Sequence, residues 1–235
     1  LAINYFVMAR RLPEDEMPKQ IELLRHGFQK SKECIALAPN NADCWISYAA
    51  SHGALALAEG IFETISEISD VKEELLKAYS MLKQVKNRCP MAPHGLDSLD
   101  VAVSALSEFN RLAPDWWLFK LISGVRGDKE ASWNYAKELK VHDLASANIV
   151  ARSALCHGAN SDNQELINKG IALVVKGLGF ELLHPFDESE YRRLARLYNA
   201  IGKLEDPDPD DYFELGCHEF GNDNKEALQK KSSKK

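Results

Sequence analysis

Lys32-Glu33-Cys34-Ile35-Ala36-Leu37-Ala38-Pro39-Asn40-Asn41, followed by Trp45, Tyr48, Ala49 and His52, is the stretch whose reading decides the fold. One helix ends at the Pro-Asn-Asn turn, because proline cannot continue a helix and asparagine favours turns. An aromatic residue, Trp45, anchors the next helix. Looser versions of this hairpin recur down the chain, and such recurrence marks stacked helix pairs. Arrays of that kind are mostly surfaces for holding other proteins. The sequence therefore points to a mode of action and does not name a partner or a process.

Composition sets the bounds. The chain has 235 residues, 45% hydrophobic and 27% charged, enough to bury a sizeable core in one or two domains. The net charge of −6 is mild and argues against a general nucleic-acid binder, which needs a basic stripe. No apolar run approaches the roughly 18–20 residues of a membrane span. The chain opens at Leu1 inside a helical pattern (Ile3, Tyr5, Phe6, Met8, Ala9), so the expected start of the protein lies upstream. The five cysteines, Cys34, Cys44, Cys89, Cys156 and Cys217, are scattered with no CxxC spacing. They read as buried, reduced thiols, with Cys34 acting as a small apolar residue, and with that goes a cytoplasmic location. A signal or anchor upstream of Leu1 would instead imply a periplasmic or membrane-anchored protein.

Helical spacing dominates, and period-two alternation is nearly absent. The pattern predicts helices over 1–11, 17–37, from Trp45 to about Ile61, from a cap at Asp70 to just before Cys89-Pro90, and over 95–112. Further helices are predicted over 116–125, 129–139, 143–157, 162–177 and 187–201, with a last one opening at Tyr212. Gly127 and Asp128 read as a stop followed by a cap. Gly158-Ala159-Asn160 reads as a break, and Gly177-Leu178-Gly179 as a helix stop. Residues 205–211, with two prolines and five acids, read as a solvated loop. The fold class is all-α: ten or eleven helices in antiparallel pairs, wound into a right-handed superhelix over 1–220. A polar, lysine-rich tail over 221–235 has nothing to bury and should fray.

Three places resemble the tetratricopeptide repeat family. They are Cys34 to Asn41 with Trp45, Tyr48, Ala49 and His52; Gly127-Asp128-Lys129-Glu130-Ala131 with Tyr135; and Tyr191, Leu194, Ala195, Tyr198 and Gly202. The pattern has a cause: small residues let paired helices approach, and aromatics fill the gap beside them. The spacing departs from the family. Pro39, Pro90 and Pro114 mark turns at unequal intervals, whereas paired-helix repeats recur every ~34–47 residues. The long segment 53–77 is similar to that of irregular members, such as the regulators of microtubule dynamics and the T-component proteins of some bacterial solute transporters. The resemblance implies a concave face, lined by the first helix of each pair, that binds extended peptides or helices.

Two features are candidate partner contacts. Arg192, Arg196 and Asn199 fall on one stripe at i, i+4 and i+7, with Arg193 alongside. The apolar face of that helix is read as Tyr191, Leu194, Ala195 and Tyr198. Guanidinium groups hold carboxylates bidentately, so the stripe suits an acidic segment or a C-terminal carboxylate. The plainer alternative is a solvated face paired with Glu188 and Glu190. The matching stripe after Trp45 (Ile46, Ser47, Ala50, Gly53) lacks the Lys/Asn set of the family's chaperone-tail carboxylate clamp. The second feature is Trp116, in the cluster Trp116-Trp117-Leu118-Phe119. If Leu118, Leu121, Ile122 and Val125 make the core stripe, Trp116 is left partly exposed as a binding anchor. The alternative is that the hairpin carrying Trp133 covers it.

Other motifs carry little. Cys156-His157 and Cys217-His218 would bind zinc only if the two doublets met in space, since adjacent helical residues diverge. The acidic loop 205–211 lacks the alternating ligands, central glycine and terminal glutamate of a calcium loop. There is no GxSxG, HExxH or GxxxxGK[ST] motif, so no enzyme and no cofactor or metal is expected. The expected function is non-catalytic: an adaptor or scaffold that orders a partner's peptide or helix, alone or as a homo-oligomer in a larger complex. The rival is a ligand-handling subunit of a solute transporter, with an apolar channel around Trp116 and Phe119.

Overall fold

The computed structural model describes residues 2–12, 16–60, 66–85, 97–115, 117–183 and 187–217, the side chains of 117 and 118 excepted. Trp116, Cys89-Pro90, Phe220 and the tail over 221–235 lie outside them. The described residues are all-helical, with no strand among them. Their eleven helices are α1 (Ala2–Arg11), α2 (Met17–Leu37), α3 (Ala42–Glu59), α4 (Ile68–Gln84), α5 (Ser98–Leu112), α6 (Trp117–Ser123), α7 (Lys129–Ala136), α8 (Leu144–Asn160), α9 (Gln164–Leu178), α10 (Asp187–Ile201) and α11 (Pro209–Cys217). None of them is long and apolar enough to cross a membrane.

Short polar side chains start five of these helices. Asn41, Asp97, Asp143 and Asn163 each accept a hydrogen bond from a backbone N–H in the first turn of α3, α5, α8 and α9. These caps satisfy donors that the helix itself leaves orphaned. Asp208 does the same for α11, accepting from the Asp211 N–H at 3.0 Å. This corrects the reading of 205–211 as all loop. Pro209 is the first residue of α11, where its missing N–H costs nothing, and Asp210 and Asp211 sit in the favourable first turn.

The helices fall into two compact units, α1–α6 and α7–α11. In the first, α3 packs against α1, α2, α4 and α5. Its Ile46, Ala49, Ala50, Ser51, Leu55 and Ala56 are buried, and so small a surface lets neighbours close in on several sides. Leu75, Ala78 and Leu82 of α4 and Ala102 and Leu106 of α5 are buried as their helical spacing predicts, whereas Val85, at the same spacing, lies past the end of α4 and is exposed. Phe119 is fully buried against Ile68 and Ala113, and it, not Leu121 or Ile122, is the core residue of α6. Leu121 and Ile122 are exposed, because a helix of seven residues presents one narrow face and Phe119 takes it.

In the second unit α8 is the hub, contacting α7, α9, α10 and α11. Its Leu144, Ala147, Ala151 and Leu155 share a core with Ile167, Val174, Leu194, Leu197, Tyr212 and Leu215. Glycines set the spacing: an alanine methyl at Gly170 would lie 2.8 Å from Leu155 Cγ. One at Gly216 would lie 2.5 Å from the Cys156 backbone nitrogen. Gly158 is no break. It lies inside α8, where Ile167 of α9 crosses so closely that a side chain does not fit.

Four further expectations are corrected. Asp70 lies in the first turn of α4 and Glu67 holds the cap position. Helix α6 ends at Gly124, whose φ of 77° favours glycine, and not at Gly127. Gly127 instead donates its N–H to the Pro114 carbonyl, under the end of α5. On α10 the buried face is Asp187, Glu190, Leu194 and Leu197, while Tyr191 and Tyr198 are 39% and 50% exposed. Finally, four cysteines are paired. Cys34–Cys44 ties the end of α2 to the start of α3, and Cys156–Cys217 ties α8 to α11. The hairpin turn brings the first pair's Cα atoms to 5.5 Å, and packing of α11 on α8 brings the second pair to 4.8 Å. Both distances suit a disulfide.

Two stability predictions follow from this packing. Gly216→Ala should push α11 off α8 and cost about 1–3 kcal/mol in urea unfolding. Replacing Cys156 and Cys217 by alanine opens a loop of sequence separation 61, against 10 for Cys34 and Cys44. Chain entropy then sets losses of about 4 and about 3 kcal/mol respectively. Thiol counting under denaturing, non-reducing conditions checks both pairs.

Candidate functional site

Helices α2, α3 and α4 build the site within the first unit. The Asn41 cap starts α3 so that Trp45 lies one turn in, and its indole Nε1–H donates to the Pro39 carbonyl at 2.8 Å. That bond across the turn holds the ring in one orientation. Tyr48 and His52 follow at i+3 and i+7, on the same face. Phe28 of α2 stacks on both, with ring centroids 4.9 Å from Tyr48 and 4.7 Å from His52. Trp45 meets Tyr48 edge-on at 6.1 Å.

Helix α4 faces this aromatic row with an acidic one. Glu67, Asp70, Glu74 and Lys77 recur at helical spacing, and Glu73 lies beside them. His52, itself buried, is gripped from both sides: Glu74 Oε2 lies 2.9 Å from Nδ1 and Glu67 Oε2 lies 3.0 Å from Nε2. Burial of the imidazole opposes its charged form. Hydrogen bonding and charge from Glu74 and Glu67 outweigh it, so the pKa of His52 is raised. With both ring nitrogens facing carboxylates, the doubly protonated ring is the form that satisfies both contacts. Burial pushes the Tyr48 hydroxyl up to about 12, and the Glu74 carboxylate acts in the same direction.

Beside this cluster lies a shallow, solvent-open groove of about 330 Å³, lined by Trp45, Asp70, Glu73, Glu74 and Lys77. The Lys77 ammonium sits 3.5 Å from the centroid of the Trp45 ring. Glu74 is committed to His52. Among the described residues, Asp70 and Glu73 have no ion-pair partner. The groove combines one aromatic face, three carboxylates and one ammonium, so its local charge is negative. It can hold a cation by contact with a ring face and by ion pairing.

The residues singled out from the sequence fall elsewhere. Arg192, Arg196 and Asn199 lie together on the exposed side of α10, and Arg193 is half-buried. Arg192 bonds Glu188 at 3.1 Å, and Arg193 lies 3.7 Å from Glu190. Glu190 is itself buried and accepts from Asn148 at 2.8 Å. The matching stripe on α3 is no surface, because Ile46, Ser47 and Ala50 are buried. Trp133 is half-buried, with the Lys169 ammonium 4.9 Å from its ring. The Cys-His doublets do converge, through their cysteines, but as the Cys156–Cys217 disulfide. No group of three or more metal-ligating side chains occurs among the described residues.

Sequence reading found Trp45, Tyr48 and His52 as marks of a helix hairpin and missed the acids opposite. The available signal was the i, i+4, i+7 series Asp70, Glu74, Lys77, a single charged stripe on one face of α4.

The His52 contacts make stability pH-dependent. A histidine whose folded pKa is raised contributes stability fully below its unfolded value, near 6.5, and loses it as pH rises through the folded value. The urea midpoint of the native chain should therefore fall between pH 6 and pH 9 by more than that of His52→Gln. Equal falls in the two proteins would remove His52 as the cause.

No family model matches this chain, and no curated protein matches it.

Proposed function

We propose that the chain is a non-catalytic protein-interaction module, an adaptor or scaffold of tetratricopeptide-like character. In this reading the helix pairs continue as a right-handed superhelix and present a preformed surface that orders a partner's extended or helical segment. The observation that carries the reading is the groove on α3 and α4. It is open to solvent, it has a rigidly held aromatic ring, and it has two exposed carboxylates, Asp70 and Glu73, with no ion-pair partner among the described residues. An aromatic anchor beside placed charges is how interaction surfaces combine affinity with selectivity. The exposed row Arg192, Arg196 and Asn199 supports a second contact, for an acidic stretch of the same partner. Trp116 keeps its place as a proposed anchor from the sequence pattern alone.

A second reading is favoured by one specific observation. Disulfides persist in oxidising compartments, and two are present here. That supports the ligand-handling subunit of a solute transporter, which works outside the cytosol, over a cytosolic adaptor.

Crosslinked affinity capture from the native organism, read by mass spectrometry, separates the two. A stoichiometric protein partner that rebinds in purified form supports the interaction module. A co-purifying small molecule together with a transporter subunit supports the second reading. If the α10 row takes part, Arg192→Glu with Arg196→Glu should reduce binding of the purified partner by tenfold or more while the circular dichroism stays the same. Unchanged binding would remove that row.

A further inference from the structure

We propose that the groove between α3 and α4 is the seat for a basic segment of a partner protein, whose lysine or arginine side chain takes the place that Lys77 now occupies on Trp45. The inference rests on the reading of this chain as a protein-interaction module, and it names the chemistry of the partner.

Four observations meet in the groove. The indole of Trp45 is held by its bond to Pro39 at 2.8 Å, so its face is preformed and no ordering is needed when a ligand arrives. A cation already rests on that face: the Lys77 ammonium lies 3.5 Å from the ring centroid. The site has thus the geometry of a cation–aromatic contact, filled from its own chain. Asp70 and Glu73, both exposed, line the same groove without an ion-pair partner among the described residues. Glu74 adds a third carboxylate whose charge is shared with His52. With Glu74 paired to His52, one ammonium, Lys77, against two carboxylates, Asp70 and Glu73, still leaves the groove short of positive charge.

The shape selects the occupant. The groove is shallow and open, with no enclosing wall to desolvate a small molecule, and it follows the face of α4 from Asp70 to Lys77. A peptide laid along that face can place a cationic side chain on Trp45 and a second one between Asp70 and Glu73. Lys77 is exposed on a flexible stem, so it can swing away without disturbing the core.

The test uses the chain as it stands and a synthetic peptide of alternating lysine and serine, acetylated and amidated, with a glutamate–serine peptide as control. Binding is read by calorimetry at low and moderate salt, and by the tryptophan fluorescence that is lost in Trp45→Phe. The lysine peptide should bind saturably and the glutamate peptide should not. Asp70→Asn with Glu73→Gln should weaken binding about fivefold to tenfold, from two exposed ion pairs. Trp45→Leu should weaken it about threefold or more. Lys77→Met removes the internal competitor and should tighten binding about threefold, beyond any effect of Lys203→Met, which makes the same charge change on an exposed lysine that does not line the groove. Circular dichroism confirms that each variant is folded.

Equal binding of the lysine peptide by the native chain and the Asp70/Glu73 variant overturns the proposal. So does a Lys77→Met effect no different from Lys203→Met. Binding of spermidine without binding of the peptide also overturns it, and points the groove toward a small amine. Failure of the peptide leaves the interaction module standing if the captured partner still binds, because that partner is scored on its own.

Discussion

Close approach of helices through small residues is the constraint on which both units depend. In the second unit α8 meets α9 where Gly170 faces Ala151 and Leu155, and meets α11 where Gly216 lies on the Cys156 backbone. At such separations a single methyl is felt, since protein interiors have no slack to absorb it. That closeness lets one helix be buried by four neighbours at once. It also brings Cys156 and Cys217 within bonding reach, so the crosslink is a consequence of the packing. The first unit repeats the arrangement around α3, whose alanines and serines leave room for α1, α2, α4 and α5.

Burying α3 so thoroughly creates an electrostatic problem at its edge. His52 lies inside, where an unpaired imidazolium would be unstable, and α4 answers with Glu74 and Glu67. The same helix also carries Asp70, Glu73 and Lys77, where the cluster reaches solvent. Structural and interactive residues are thus neighbours on one acidic face. Glu74 belongs to both groups, since it grips His52 and lines the groove. The groove therefore inherits its rigidity from the core: Phe28, Tyr48 and His52 form a stacked row behind it, and Trp45 is tied down at its front.

Much of this architecture was legible in the chain. The 3.6-residue periodicity places the described helices to within a few residues, and the Pro-Asn-Asn turn announces where α3 begins, because turn signals are local chemistry. Local signals misled where one residue type serves two purposes. Gly158 looks like a stop, yet it is a contact point inside α8, since glycine both ends helices and lets them touch. Pro207 and Pro209 look like loop residues, yet Pro209 opens α11, since proline suits the first turn of a helix as well as a turn. Tyr191 and Tyr198 look like a core face and are exposed, because α10 buries a different stripe through Leu194 and Leu197.

Residue order and spacing alone set the all-helical class, the helix boundaries to within a few residues, and the hairpin around Pro39 that carries Trp45. Each of these depends on neighbours within a turn or two of the chain. Tertiary structure decided that Cys156 meets Cys217, which stripe of α10 is buried, and that the acids of α4 lie opposite the rings of α3. Those outcomes join residues tens of positions apart, from Trp45 to Lys77 and from Cys156 to Cys217. No local propensity encodes such a meeting; it exists only once the helices have packed.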